Sequence, residues 1–168
     1  MPAVQLTDEL AQLAYFDTFP DTIAGLTNVC SIDADDNIIT KVQNFLSNER
    51  ITGMVLFFGI YDGGTRFGQE KTEYVFNLTL SVLKQAPDKL SETLAAIRKD
   101  TRECLLACLG KIITDYEESR ETLVPIRWHI ERNDERFIPS GEMANAMAYG
   151  FTTNLDIVCD LGHVIFPE

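Results

Sequence analysis

Cations are what this sequence lacks most: 14 Lys and Arg stand against 26 Asp and Glu among 168 residues, for a formal net charge of −12. Binding to nucleic acid or to an anionic bilayer depends on clustered Lys and Arg, so neither is expected as a direct ligand. A basic partner suits such a chain, as does a polyanion that must pass without sticking. Histidine is almost absent, with only His129 and His163, and no paired Cys and His spacing of the zinc type occurs. The four cysteines, Cys30, Cys104, Cys108 and Cys159, lack the short, even spacings of a disulfide framework and read as buried free thiols. No apolar run approaches the roughly 20 residues that span a bilayer. The start MPAVQLTDEL lacks the basic region and apolar run of a secretory signal, so the product is expected to stay inside the cell that makes it. Internal repeats and low-complexity segments are also missing.

The remaining composition is that of an ordinary globular chain, with 45% apolar and 24% charged residues, which excludes disorder and collagen-like structure. The length fits a single domain, 1–168, able to bury about two-thirds of its unfolded surface. Within it, 1–35 reads as an N-terminal extension or connector and 36–168 as the core.

Periodicity organises the core. Leu6, Leu10, Leu13 and Ala14 form one stripe of a short helix over Thr7 to Phe16, which Pro20 stops. Residues Asp21 to Asp33 are irregular and contribute at most a short edge strand. A second helix is predicted over Asp36 to Asn48, with Asp35 or Asp36 as the acid at its N-terminus. Ile51 to Ile60 reads as a strand buried on both faces, and Tyr61 to Lys71, with Asp62-Gly63-Gly64, as a hairpin tip or longer loop. From Thr72 to Lys84, Tyr74, Phe76, Leu78, Leu80 and Val82 alternate with Val75, Asn77, Thr79, Ser81 and Leu83, which marks a strand with one apolar face and one mixed face. Pro87 and Asp88 open a long amphipathic helix to about Glu118, with Lys89, Glu92, Arg98, Lys99, Asp100, Arg102, Glu103 and Lys111 on its outer side. Strands follow at Val124 to Arg132 and Met147 to Cys159, separated by a polar loop that starts at Asn133. The fold class is therefore α+β: a mainly antiparallel sheet with one long helix packed on one face and short N-terminal helices. The other face, with Val75, Leu83 and Val158, is left to solvent or a second subunit.

No catalytic residue, cofactor or metal is indicated. Asp33-Ala-Asp35-Asp36-Asn37 opens like a calcium loop, but Ile38 stands where the turn glycine belongs and Asn44 where the closing glutamate belongs. Cys104 and Cys108, one helical turn apart, supply half a metal site at most. Ser140-Gly141 follows a proline in a polar loop and is no nucleophile elbow. Cys159 with His129 is left open as a nucleophile and base. Gly59, Gly63, Gly64 and Gly68 do not form a phosphate loop, and Glu117 with Glu121 reads as a solvated pair. Aromatics adjoin cations only at Arg66-Phe67 and from Arg132 through Arg136 to Phe137. In an acidic chain these suit contacts with acidic loops or a neighbouring subunit. Asp62, Arg66, Phe67, Arg132, Arg136 and Phe137 are thus the candidate subunit-contact residues, on loops Tyr61 to Lys71 and Asn133 to Ala146.

The succession of a strand Tyr74 to Val82, a long helix Asp88 to Glu118, a strand Val124 to Arg132 and a closing strand Tyr149 to Cys159 resembles the small α+β subunits of tailed-phage tail terminator and tail-completion (neck) proteins. The resemblance covers about 36–166 and lies in element order and acidic character. It implies a structural virion protein, made in the host cytoplasm, that self-associates into a ring, commonly hexameric, at the junction of tail and neck beside other tail or neck proteins. Carboxylates around such a lumen would repel DNA phosphates, so DNA passes without specific binding. No membrane contact is implied. Two other classes fit the same residues: an acidic immunity or inhibitor protein that binds a basic partner, and a small-ligand-binding domain or enzyme with a pocket between helix and sheet.

Overall fold

The computed structural model describes residues 9–33, 36–48, 52–67, 72–120, 128–138 and 147–160. Its elements run α1 (Glu9–Phe16), α2 (Phe19–Thr22), β1 (Leu26–Ser31), α3 (Ile38–Asn48), β2 (Met54–Phe67), β3 (Thr72–Gln85), α4 (Ser91–Arg120), β4 (Trp128–Ile138) and β5 (Ala148–Asp160). They build one five-stranded sheet in the order β1-β2-β3-β5-β4. Only β1 and β2 are parallel, and the other three pairings are antiparallel. The fold is α+β, as the periodicity predicts.

The alternation along β3 sorts the core into two layers. Leu78, Leu80 and Val82 point to one face with Leu56 and Phe58 of β2 and Leu155 of β5, and are covered by Cys104, Leu105, Cys108, Leu109 and Ile112 of α4. At about 1.5 Å per residue, the 30-residue α4 is some 45 Å long, about the reach of the 14-residue β3 it crosses. Thr101, on the buried side of α4, donates its hydroxyl to the Ile97 carbonyl at 2.7 Å, so no buried donor is left over. On the opposite face Val55 and Phe57 of β2, Leu83 of β3 and Ala148 of β5 lie beneath Val42 and Leu46 of α3. Burial on both sides explains why the start of β2 reads as a continuous apolar run.

Within the segment read as an extension, residues 16–26 belong to the core of the sheet. Phe16, Phe19, Ile23 and Leu26 are buried in the same core as the sheet, and the Phe16 ring stacks on Phe58 with centroids 4.2 Å apart. Pro20 does not simply end a helix; it opens the one-turn α2. The connector then becomes edge strand β1, joined to its parallel neighbour β2 through α3, as a parallel pair requires. A polar clip fastens this segment to α4: the Tyr15 hydroxyl donates to Asp115 Oδ2 at 2.8 Å, and Lys111 Nζ donates to the same oxygen at 2.8 Å. Burial first, and the Asp115 carboxylate second, push the Tyr15 hydroxyl well above its ordinary pKa.

The acid expected at the start of α3 has other work. Asn37 caps the helix, its Oδ1 accepting the Thr40 N–H at 3.1 Å. Asp36 instead accepts the Lys41 ammonium and the Asp33 N–H. These bonds, Lys41's foremost, hold the Asp36 carboxyl below its usual pKa, so its contribution is present above the unfolded carboxylate range and fades as pH falls through the depressed value. Asn37→Ala is expected to cost about 1 kcal/mol of stability in urea titration, the usual loss for an N-cap.

Candidate interaction surfaces

Three surfaces could meet a partner: the two strand edges, the sheet face beyond α3, and the outer side of α4. Among the described residues, β1 and β4 are hydrogen-bonded to a neighbouring strand on one side only. The unpaired edges are unlike each other, a six-residue strand in parallel pairing and an eleven-residue strand in antiparallel pairing.

The candidate contact residues lie on strands, not loops. Asp62, Arg66 and Phe67 belong to β2, which continues through Asp62-Gly63-Gly64 with a register shift between Asp62 and Gly64. These turn-type residues form a β-bulge within the strand. Arg132, Arg136 and Phe137 belong to β4, which passes a second shift between Arg132 and Asp134 and continues to Ile138. Residues 68–71 and 139–146, the rest of both expected loops, lie outside the described residues. Nor does the sheet gather the six. Arg66 pairs with Glu73 and hence with Asp160, whereas Arg136 pairs with Thr152, so the two sit toward opposite ends, with β3 and β5 between their strands.

The sheet face left to a partner by the sequence reading is different in detail. Leu83 is roofed by α3 and Val75 is buried. Past α3, the central strands present a half-buried polar ladder. Thr79 donates to Asn154 Oδ1 at 2.8 Å, and the Ser81 and Thr152 hydroxyls bond across the same strand pair. In the next step of register Asn77 stands opposite the buried Asp156. The two hydrogen-bonded pairs, Thr79 with Asn154 and Ser81 with Thr152, make this stretch polar, without the apolar centre of a dry subunit interface.

Among the described residues, the exposed large apolar side chains are Leu90, just before α4, and two on α4 itself. Leu106 and Ile113 are 48% and 45% exposed, and a spacing of seven puts them on one side of the helix. Ala107 and Gly110, also exposed, lie on the same side, and a Cβ built at Gly110 would meet nothing within 4 Å. The charges on the outer side predict a polar face, and the structure adds these two large apolar residues to it.

The other sequence candidates fare variously. Lys41 Nζ lies 3.7 Å from Asp33 Oδ2 and bonds Asp36, so a side-chain cation sits between the carboxylates of the calcium-like segment. Among the described residues no group of three or more His, Cys, Asp or Glu is arranged to hold a metal ion. Cys104 and Cys108 are buried free thiols in the core, with Cys108 pushed above its ordinary pKa by the adjacent Cys104 and by burial. Cys159 pairs with Trp128 and His129 with Val158, so strand alternation assigns the two positions to opposite faces of the sheet. Gly59 is a strand residue, and Glu117 lies near the end of α4. Gly68, Glu121, Ser140, Gly141 and His163 are outside the described residues. No described helix is long and apolar enough to cross a membrane.

Comparison with protein-family models and with curated proteins found no match.

Proposed function

We propose that this chain is a structural subunit whose copies close into a ring, of the kind that joins tail and neck in a phage virion. The observation that carries the reading is the pair of unlike, one-sided edges at opposite ends of the sheet order. A ring needs a head-to-tail contact between two different surfaces of each subunit, and closes when the rotation between neighbours divides the circle. Joining β4 of one copy to β1 of the next supplies such a contact through main-chain hydrogen bonds. The net charge of −12 adds the second half of the function. Carboxylates around the lumen keep DNA phosphates at a distance, so DNA slides through without being held.

The test is the mass and shape of the purified full chain. Light scattering or mass photometry is expected to find a discrete species of several subunits, and negative-stain images an annulus. A chain that stays monomeric or stops at a dimer at high concentration overturns the ring. Retention of DNA on the annulus at moderate salt overturns the role of the charge.

A further inference from the structure

We infer that β4 pairs antiparallel with β4 of a second copy, edge to edge, about a two-fold axis between Asn133 and Asp134. The contact takes up the edge that the ring would use, so a copy held in this pair is withheld from the ring. The inference goes beyond that reading and does not depend on it.

The sequence of β4 is its own complement when reversed. It contains Ile130-Glu-Arg-Asn-Asp-Glu-Arg-Phe137. A second copy turned about that axis sets Glu131 against Arg136, Arg132 against Glu135 and Ile130 against Phe137, and the two-fold repeats each pair. Opposite charges, or large apolar residues, directly across from each other are the favourable cross-strand pairs. Asp134, the remaining charge of this stretch, meets Asn133. Sliding the copy by two residues one way sets Glu131 against Asp134, and the other way Asp134 against Glu135, so like charges disfavour both neighbouring registers.

The register within the chain is a second, independent argument. In a regular strand, positions an odd number apart lie on opposite faces, and Arg132 could not share a face with Glu135. The register shift between Arg132 and Asp134 changes this. Arg132 pairs with Leu155 and Glu135 with Thr153, which places both on one face, whereas Glu131 pairs with Asp156 and Arg136 with Thr152, on the other. Each inferred pair thus falls on a single face, and the bulges of the two copies meet at the axis. Strand β5 sets no opposite charge directly across from any of these positions. Among the described residues the outer side of β4 carries no strand, so a further strand can be added there through main-chain hydrogen bonds. The contact is isologous, so it makes pairs and then stops. A pair holds one contact for two copies and a ring one for every copy, so the pair is expected at low concentration and the ring at high.

The experiment is a charge swap on the full chain, read by sedimentation velocity over a concentration series, with circular dichroism to verify folding. Arg132→Glu/Arg136→Glu makes every charge of the inferred pairs negative, and Glu131→Arg/Glu135→Arg makes every one positive. Each variant alone is expected to pair roughly tenfold or more weakly than wild type, and an equimolar mixture of the two is expected to recover the dimer, because each negative position then meets a positive one. A folded mixture that does not pair, or variants that pair as wild type does, overturns the inference. Hydrogen exchange on the wild type needs no variant: the amides of β4 are expected to gain protection as the chain passes from monomer to dimer, and a dimer whose β4 amides exchange as in the monomer overturns it. A wild type that passes from monomer to ring with no intervening pair overturns the inference and leaves the ring standing. A β4-protected pair that never grows supports it and overturns the ring, and a chain that is monomeric throughout overturns both.

Discussion

Gly150→Ala is expected to leave almost no folded protein. A Cβ at that position would lie 1.7 Å from the Val82 carbonyl oxygen, 2.8 Å from its carbon and 3.1 Å from Leu83 Cα. These are backbone atoms of β3, a central strand hydrogen-bonded on both sides, so no side-chain rotation relieves the clash. Separating β5 from β3 here would also disturb the fully buried Leu83 and Ala148 beneath α3. The cost belongs in the rare class above about 4 kcal/mol, against a total stability of about 5–15 kcal/mol for a domain. Soluble yield and the thermal midpoint by circular dichroism measure it. Gly110→Ala is the internal control: its Cβ enters open space, and helix propensity favours it by up to about 1 kcal/mol. A Gly150→Ala protein that melts within a few degrees of wild type would mean that the β3 and β5 backbones are not so closely apposed.

Phe16→Ala is expected to lower global stability by about 3–5 kcal/mol, the range for emptying a buried aromatic site. Phe16 is fully buried; besides its stack on Phe58, its ring centroid is 5.0 Å from that of Phe19 and 5.2 Å from that of Tyr15. The polar clip does not compensate, because Tyr15, Lys111 and Asp115 draw their geometry from the same aromatic group; Lys111 Nζ lies 5.6 Å from the Phe19 ring centroid. Urea titration combined with hydrogen exchange separates two outcomes. An integral N-terminal segment lowers the urea midpoint of the entire sheet. A mere extension would lose protection only in residues 9–22 and keep the midpoint, which would restore the division at residue 35.

The parts of this fold that sequence made legible are those in which local pattern and tertiary burial agree. Strands β3 and β5 alternate because each has one face under α4, and the start of β2 is uniformly apolar because α3 covers its other side. The misses share a cause: non-local pairing overrode local chemistry. Asp62-Gly63-Gly64 has the composition of a turn, yet β3 recruits it as a bulge. Asn133 to Ile138 looks like a loop because it is polar, but β4 is an edge strand, where polar side chains cost little. β1 is irregular in sequence and exists because β2 is available to pair with it. Residue type alone groups the six candidate contact residues, whereas the register sets Arg66 and Arg136 far apart along the sheet. On α4, assigning apolar residues to the inside hid Leu106 and Ile113, whose outward direction follows from counting around the helix.

The stack of Phe16 on Phe58 joins the first helix to a strand made more than forty positions later in the chain. During synthesis the leading aromatic residues therefore leave the ribosome long before their counterpart does. In that interval Phe16 and Phe19 are greasy ends without a seat, the condition in which nascent chains clump or are taken up by chaperones. The order of manufacture thus makes arrival of the second strand the moment at which the front of the molecule becomes safe.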